Sequence, residues 1–346
     1  MKQGLAEGVF PGAVLLVSRS ERRVFFEAYG KANIFTERPI TVDTVFDLAS
    51  LTKPLATTLA VMALIESKQL SLDRPLSDIW SSFKHSEKSG VCIDQLLTHV
   101  SGLPAYRPYY KEINCLPETE RHKALLDRLL HEPLLNPPGK HTVYSDLGFM
   151  LLGLVIEKIT GSRLDQFVSR KLFHPLGIKN LFFIDIHENN AHREFAATAY
   201  CPWRGQLVQG GVHDENAFAL GGVAGHAGLF GTAGAVEKLL SALLRAFATT
   251  DGIFSRALVR QFLSRYHGAD RALGFDMPSA EGSSAGKHLN REATVGHLGF
   301  TGTSFWMAMD RSTIIILLTN RIHPSPANEG IKAFRPRLHD SVMACF

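Results

Sequence analysis

The sequence predicts an α+β fold: an α/β sandwich whose antiparallel sheet is formed by both ends of the chain, with a mainly helical region inserted between them. The first observation is that short β-type runs lie near both termini, at 13–17, 24–28, 302–309 and 313–319. The second is that residues 76–200 carry mainly helical patterns separated by Pro and Gly breakers. We therefore expect a sheet domain made of 1–75 and 205–346, and an inserted helical domain over 76–204.

The elements of the first half follow from local patterns. The first two β-type runs flank the polar stretch SRSERR, which is typical of an antiparallel hairpin. A long apolar run then predicts a buried helix from about Ser50 to Ser67, with Pro54 in its opening turn. Within the helical region, 123–130 is amphipathic and 149–159 is apolar nearly all round, so both segments are predicted to be helices.

The second half returns to strands after a loop. Residues 205–235 are rich in glycine and predict a shaped loop that leads into a helix capped by Thr232. The last two β-type runs are joined by a tight turn at 310–312, and 313–319 is strongly β-branched. A basic segment from Lys332 to Met343 predicts a final helix.

Composition limits the classes of function. The chain has 346 residues, 45% of them hydrophobic and 20% charged, which argues against global disorder. The net charge is only +4 and Lys and Arg are scattered, so we expect no nucleic-acid partner. No segment is apolar enough to span a membrane, and we expect a cytoplasmic protein, or a periplasmic one if a signal peptide has been removed. The four cysteines are far apart, so free thiols are expected.

The pattern S-x-x-K occurs three times, as Ser50–Lys53, Ser81–Lys84 and Ser284–Lys287. Only the first opens an apolar helix, where positions i and i+3 share a face and the N–H groups point at any oxyanion formed there. Burial of the lysine would lower its pKa and make it a proton acceptor for a serine nucleophile. The alternative is that Ser50 caps the helix and Lys53 extends to solvent.

Three other catalytic or ligand-binding patterns are weaker. Residues 282–286 match G-x-S-x-G, but no apolar strand precedes them and no apolar helix follows. His187, Glu188 and His192 are spaced one residue too long for the zinc motif H-E-x-x-H. The glycines of 221–231 lack the spacing of a phosphate-binding loop.

Further motifs lie in order behind Ser50. Tyr144 follows a Pro-Pro-Gly breaker and precedes the apolar helix, so its hydroxyl could relay a proton if a nearby cation lowered its pKa. His297-Leu298-Gly299 lies beside the last strands, where glycine would allow a substrate to approach the backbone. These motifs belong to a series of segments that together resemble a known protein family. The segments are FPGAVLLV, FDLASLTK, LLTHVSGLP (96–104), PPGKHTVYSDLGFMLLGLVIEKITG (137–161), GGVAGHAGLFGTA (221–233) and GHLGFTGTSFW (296–306).

With these segments the chain resembles the serine hydrolases that include class C β-lactamases, penicillin-binding proteins and related esterases and D-aminopeptidases. The resemblance implies a β-lactamase/transpeptidase-like fold and acyl-enzyme chemistry with no metal or other cofactor. It implies that Ser50 is the nucleophile, that Lys53 and Tyr144 share the acid–base work, and that the N–H groups of Ser50 and Phe300 form the oxyanion hole.

Two positions depart from the family pattern. The tyrosine motif usually ends in asparagine, but here it ends in Asp146, which accepts hydrogen bonds only or holds the ammonium of Lys53 and raises its pKa. The usual Lys-Thr-Gly is His297-Leu298-Gly299, which lacks a permanent cation for a substrate carboxylate. We expect Asp146, His297 and Gly299 to contact substrate, and the changes argue against an efficient β-lactamase.

The leading hypothesis is therefore a serine hydrolase acting on an amide or ester, such as a D-amino-acid or cell-wall-related peptide. The alternatives are a penicillin-binding-type sensor that does not turn over and a weak β-lactamase. The expected partner is a small-molecule or peptide substrate, and nothing in the sequence indicates an oligomeric state. Other polar and aromatic residues near the motifs are expected to stabilise loops or pack in strands: His99, His213, Asp214, Glu215, Asn216, His226, Phe300, Phe305 and Trp306.

Overall fold

The protein is described by a computed structural model, which covers residues 1–187, 193–250, 252–267 and 269–345. In chain order its strands are β1 (Gly12–Arg19), β2 (Arg22–Asn33), β3 (Arg38–Pro39), β4 (Phe46–Asp47), β5 (Leu181–Phe183), β6 (Tyr200–Cys201), β7 (Gln206–Leu207), β8 (Leu229–Gly231), β9 (Thr294–Leu298), β10 (Ser304–Ala308) and β11 (Thr313–Thr319).

Its α-helices are α1 (Lys2–Ala6), α2 (Leu59–Glu66), α3 (Ile93–Leu97), α4 (Tyr110–Ile113), α5 (Glu118–His131), α6 (Asp146–Thr160), α7 (Leu164–Val168), α8 (Glu215–Ala219), α9 (Ala233–Ala248), α10 (Arg256–Leu263) and α11 (Ile331–Met343). Short 3₁₀ segments occupy Ala49–Leu51, Leu76–Asp78 and Ser81–His85, and π-helical segments occupy Lys53–Thr58 and Ser169–Phe173.

The main sheet joins the two ends of the chain. Its order is β3-β2-β1-β11-β10-β9, and every neighbouring pair is antiparallel. β1 lies between β2 and β11, with Leu15 opposite Leu317. The β1–β2 turn places Ser20 and Glu21 at φ +47° and +63°, as a two-residue hairpin requires. The predicted antiparallel sheet from both termini is therefore confirmed.

The central strands are buried on both faces. Alternate β1 residues face opposite sides, so Val14 and Leu16 join the larger core while Leu15 and Val17 join the smaller one. The larger core packs the sheet against helices such as α9, and the smaller core packs it against α11. This double covering explains why the β-branched run of β11 is continuous rather than alternating with polar residues.

A small second sheet positions the start of the candidate site. Its order is β4-β8-β5, and β4 ends three residues before Ser50.

Residues 76–204 contain helices α3 to α7 as well as β5 and β6, and the two-domain division stays a prediction. In the part of the chain that the structure describes, no helix combines the length and apolar character needed to cross a membrane.

The predicted helix from Ser50 to Ser67 has the right position but not the predicted form. A 3₁₀ turn is followed by the π-helical segment Lys53–Thr58, and regular α-helix begins only at Leu59. Ala49, just before the serine, has φ +49°, a conformation that is costly for a residue with a Cβ. Strain and π-helical turns concentrate at functional sites, so this irregularity directs attention to Ser50 and Lys53.

Candidate active site

A cavity of about 1050 Å³ collects the predicted site residues from four separate parts of the chain. Ser50 lies on its wall together with Tyr144, Asp146, His297, Gly299 and Phe300. Lys53 lies next to the serine, and its side chain is fully buried. The structure thus brings together every residue that the sequence analysis placed in the site.

The contact between Ser50 and Lys53 is direct. Lys53 Nζ donates to Ser50 Oγ at 3.0 Å and to the carbonyl oxygen of His226 at 3.1 Å. The alternative reading of this pair is wrong, because Ser50 lies inside the 3₁₀ turn and Lys53 does not reach solvent. A serine hydroxyl beside a buried amine is the arrangement of a nucleophile and its proton-transfer partner.

An ion pair controls the charge of Lys53. Its Nζ lies 2.7 Å from Asp146 Oδ1. Burial by itself lowers the pKa of Lys53, but the attraction of Asp146, aided by Tyr144, reverses this and the pKa is raised. The expectation of a pKa lowered by burial is therefore wrong, and the expectation that Asp146 holds the ammonium is confirmed. The resting site contains a lysine cation.

Tyr144 faces this cation from the corner before α6. Lys53 Nζ lies 4.9 Å from its ring centroid. Burial raises the pKa of Tyr144, and the opposing effects of Lys53 and of hydrogen bonding to Ser50 do not cancel it. The conditional expectation of a lowered tyrosine pKa is therefore wrong. Tyr144 is a neutral phenol at neutral pH.

His99 supports the corner that carries Tyr144. Its ring lies 4.6 Å from the Tyr144 ring, and its Nδ1 accepts the backbone N–H of Ser145 at 2.9 Å. Burial keeps the pKa of His99 well below its ordinary value, so the nitrogen remains free to accept. The predicted structural role of His99 is confirmed.

The H-L-G segment supplies no permanent cation. His297 is buried on β9, its Nδ1 lies 2.9 Å from the Leu298 carbonyl oxygen, and burial lowers its pKa. A Cβ on Gly299 would lie 2.1 Å from Thr303 Oγ1 and 2.7 Å from the Leu48 carbonyl oxygen. The absent side chain thus makes room for the protein's own atoms, and not only for substrate as the sequence suggested.

The β9–β10 turn is fixed to the segment before Ser50. Thr301 Oγ1 donates to the Asp47 carbonyl oxygen at 2.8 Å, and Thr303 Oγ1 donates to that of Leu48 at 3.1 Å. The buried Asp47 carboxylate accepts the N–H of Ala49 at 2.8 Å. These bonds hold the Phe300 peptide and the Ser50 peptide on one rigid frame, as two donors to a shared oxyanion require.

Phe300 differs from its expected packing role. Its side chain is 52% exposed and lines the cavity, so the prediction that it packs in a strand is wrong; Phe305 and Trp306 are buried, as predicted. The Phe300 ring stacks on His213 at 5.8 Å between centroids. The physical reason is position, since Phe300 belongs to the turn between β9 and β10 rather than to either strand.

The glycine-rich loop mostly stabilises itself. Asp214 caps α8 by accepting the Ala217 N–H at 2.7 Å and contacts His226 Nε2 at 2.9 Å. Asn216 Oδ1 accepts the backbone N–H of Tyr110 at 2.8 Å. The loop-stabilising role is confirmed for Asp214, Asn216 and His226. His213, Asp214, Glu215 and His226 also line the cavity.

The other two S-x-x-K patterns and the G-x-S-x-G segment contribute no residue to this cavity. Ser81–Lys84 forms a 3₁₀ turn, and Ser284 lies in a loop without a strand-to-helix elbow. Glu188 and His192 of the near-miss zinc pattern lie outside the described residues. Over the described ranges, no group of three or more His, Cys, Asp or Glu side chains is arranged to hold a metal ion. The cysteines found there are free.

Two arginines that line the cavity were missed by the sequence analysis. Arg321 follows β11 and Arg335 lies on α11, and both are largely buried. Within the described part of the chain, neither has a carboxylate within 4 Å. The basic run that includes Arg335 was the only signal, and it indicated a helix rather than a cleft.

Comparison with solved structures supports the fold. The chain is similar to EstCE1, a hydrolase with promiscuous acyltransferase activity, with a TM-score of 0.76, 23% identity, and coverage of 98% of this chain and 95% of that one. It is also similar to an octameric penicillin-binding protein homologue from Pyrococcus abyssi, with a TM-score of 0.72, 22% identity, and coverage of 97% and 75%. The predicted β-lactamase/transpeptidase-like fold is therefore confirmed.

Sequence comparison reaches further. The chain is 31% identical to an N-acetylmuramyl-L-alanine amidase of Bacillus subtilis, over 93% of this chain and 80% of the relative. It is 30% identical to a provisionally named D-alanyl-D-alanine carboxypeptidase of Escherichia coli O157:H7, over 92% and 80%. Residues 1–335 match the profile of the beta-lactamase family. The predicted resemblance is thus confirmed, and the chain belongs to the beta-lactamase family of serine hydrolases.

Proposed function

We propose that the protein hydrolyses an amide or ester through an acyl-enzyme on Ser50. The observation that carries this proposal is the 3.0 Å contact between Ser50 Oγ and the fully buried Nζ of Lys53 at the wall of a large cavity. A lysine in this position has no structural need for a serine partner, because Asp146 already balances its charge. The contact therefore supports a reactive hydroxyl.

The proposed chemistry has two steps. In the form of the site in which the Lys53–Tyr144 pair has lost one proton, this pair accepts the Ser50 Oγ proton as the oxygen attacks the substrate carbonyl carbon. The pair then gives a proton to the leaving amine or alcohol as the acyl–leaving-group bond breaks. Water then attacks the acyl carbon along the same proton path and releases the acid. The N–H groups of Ser50 and Phe300 stabilise the oxyanion in both steps.

We propose a D-amino-acid peptide or another cell-wall-related amide or ester as the substrate class. Support comes from the names of two relatives, a carboxypeptidase and an amidase. The neutral His297 in place of a lysine disfavours substrates that depend on a cation at that strand, including good β-lactam substrates. Asp146, His297 and Gly299 are the residues of the motifs that we assign to substrate contact.

The test begins with a fluorophosphonate probe and a p-nitrophenyl ester. We expect the probe to label Ser50 and the ester to give a burst followed by steady turnover. Ser50→Ala removes both, whereas Ser81→Ala, which alters the serine of another S-x-x-K pattern, leaves both unchanged. An unlabelled wild type, or equal turnover by Ser50→Ala, would overturn the proposal. A panel of D-amino-acid amides, D-Ala-D-Ala peptides, short esters and nitrocefin then identifies the substrate class.

A penicillin-binding-type sensor is the second candidate. It is favoured by one observation: the 2.7 Å ion pair with Asp146 holds Lys53 as a cation beside a neutral Tyr144. No free base is then present in the resting site, which would slow deacylation. This candidate predicts stoichiometric labelling of Ser50 without further product, so multiple turnovers on any substrate of the panel eliminate it.

A further inference from the structure

Arg335 carries a positive charge in a buried position. It lies on α11 behind the β9–β10 turn and is 6% exposed. No carboxylate of a described residue pairs with it, and its Nε has no hydrogen-bond partner there. Burial and the neighbouring Arg321 lower the pKa of Arg335 to about 10, so the cation is held at a cost.

Arg335 donates hydrogen bonds to the turn between β9 and β10. Its Nη2 donates to the carbonyl oxygen of Gly299 at 3.1 Å and to that of Thr303 at 2.7 Å. The Gly299 carbonyl belongs to the same planar peptide unit as the Phe300 N–H. In a trans peptide these two groups point in opposite directions, so a donor that holds the oxygen on one side directs the N–H to the other.

The N–H side of this peptide has no protein partner among the described residues. Gly299 and Phe300 line the same cavity as Ser50 and the two arginines, and the Phe300 N–H makes no hydrogen bond with any described residue. The next carbonyl, that of Phe300, accepts a hydrogen bond from Arg321 Nε at 2.9 Å. Two consecutive carbonyl oxygens of the turn are therefore bound by guanidinium groups, while the N–H between them is left for a ligand.

We propose that Arg335 is a positioning residue of the oxyanion hole, which orients and polarises the Gly299–Phe300 peptide so that its N–H is a strong donor to the developing oxyanion. This inference rests on the proposed acyl-enzyme function. The bond from a cation to the carbonyl oxygen is charge-assisted and draws electron density from the N–H end of the same peptide.

Closing the turn does not by itself require the arginine. The Gly302 N–H already donates to the Gly299 carbonyl oxygen at 3.0 Å, and the Gly299 N–H donates to the Thr303 carbonyl oxygen at 2.7 Å. What Arg335 adds is a positive charge on the far side of the peptide from the reacting atoms. Preorganised charge of this kind acts on the transition state more than on substrate binding.

The experiment uses the variants Arg335→Gln and Arg335→Lys. Arg337→Gln is the matched control, because Arg337 lies on the same helix but is exposed and pairs with Glu7. Each protein is acylated with an ester carrying a ¹³C-labelled carbonyl, and infrared difference spectra record the acyl-enzyme carbonyl band. Steady-state kinetics and thermal melting are measured on the same samples.

We expect Arg335→Gln to move the carbonyl band to higher wavenumber and to lower kcat about 10- to 100-fold, less than the loss of a whole oxyanion donor. KM should change by less than about threefold, because the contact acts on the transition state. Arg335→Lys keeps the charge and should restore part of both effects. Arg337→Gln should match the wild type.

The outcomes separate the two proposals. A wild type that is never acylated overturns the proposed function. A wild-type acyl-enzyme whose carbonyl band does not move in Arg335→Gln overturns only the role of Arg335, even if kcat or the melting temperature falls. If Arg335→Gln does not fold, Arg335→Lys carries the comparison, and a band at the wild-type position together with a large kcat loss would contradict the inference.

Discussion

The two sides of Ser50 are built in different ways. On the proton-transfer side, side chains make the site: Lys53, Asp146 and Tyr144 form a compact charged group supported by His99. On the oxyanion side, backbone groups face the cavity, and the β9–β10 turn that carries them is held from behind. The first side depends on which residues are present, whereas the second depends on where the backbone lies.

The charges of the two sides also differ. The buried Lys53 is neutralised by Asp146 at 2.7 Å, while Arg321 and Arg335 are bound by carbonyl oxygens. The ion pair with Asp146 keeps Lys53 protonated in the resting state. The arginines, which have no carboxylate partner among the described residues, favour negative charge on the opposite side of the peptides that they bind. The comparison explains why a substitution on the first side should change the proton balance and one on the second should change the stability of the oxyanion.

The largest expected effect lies on the proton-transfer side. Lys53→Met removes the amine next to Ser50 Oγ and should lower the rate of ester acylation by about 10²–10⁴-fold, the usual contribution of a general acid–base group. Stopped-flow measurement of the p-nitrophenol burst gives the rate. Lys111→Met, at an exposed lysine of α4, is the control. A Lys53→Met protein within tenfold of the wild type would show that this side does not move the proton.

On the oxyanion side, adding a single methyl group at Gly299 should impair activity. In Gly299→Ala the new Cβ must displace Thr303 Oγ1 or the Leu48 carbonyl oxygen, so the turn shifts. We expect kcat to fall by about 10²-fold and the free energy of unfolding to fall by about 1–3 kcal/mol. Gly90→Ala is the control, because a Cβ there meets no atom within 4 Å. Unchanged kinetics in Gly299→Ala would mean that the turn does not have to be rigid.

The ion pair makes the proton-transfer side dependent on pH. Because Asp146 raises the pKa of Lys53, activity should increase through the alkaline range as the Lys53–Tyr144 pair loses a proton. Asp146→Asn removes that attraction, so the rising limb of the kcat/KM profile should move to lower pH by about one unit or more. Asp127→Asn, at an exposed residue of α5, is the control. A limb that stays in place would contradict the assignment of the titrating pair.

The smallest expected effect on activity concerns His339, which affects stability behind the oxyanion side. Burial lowers the pKa of His339 on α11 to about 4, whereas the unfolded chain has an ordinary value near 6.5. The unfolded chain therefore binds more protons between about pH 6.5 and 4, and stability falls as the pH falls through this range. At pH 4 His339 therefore lowers the free energy of unfolding by on the order of 3 kcal/mol relative to neutral pH.

His339→Gln should flatten the fall of the melting temperature between pH 6.5 and 4, while kcat at neutral pH stays within about twofold. His288→Gln serves as the control, since that histidine is 56% exposed. A melting curve of His339→Gln that falls with acid as steeply as that of the wild type would assign the acid sensitivity to other buried histidines whose pKa is lowered, such as His99 and His213.

Much of the fold could be predicted because its signals are local. The β-branched run of β11 and the cap Thr232, which accepts the Ala235 N–H at 3.3 Å, are properties of short segments. The 3₁₀ and π-helical turns around Ser50 could not be read from the run of apolar residues. They depend on tertiary bonds such as that from Thr303 Oγ1 to the Leu48 carbonyl oxygen.

For the site, sequence order was sufficient for residue identity but not for electrostatics. Ser50, Lys53 and Tyr144 were found by motif, and the ion pair of Lys53 with Asp146 was anticipated from the altered motif. The raised pKa of Tyr144 was not, because it reflects how the loss of water around the phenol in the folded site outweighs the nearby Lys53 cation. Phe300 was expected to be buried and lies in the cavity wall.

The sequence by itself determined which residues can perform acyl transfer, because nucleophile, amine and phenol are properties of side chains at fixed motif spacings. Only the tertiary structure decided their protonation and the direction of the oxyanion peptide. Both depend on groups far apart in the chain: Asp146 meets Lys53 across 93 positions, and Arg335 meets Gly299 across 36. Local patterns carry no information about such distances, and electrostatic effects depend on them directly.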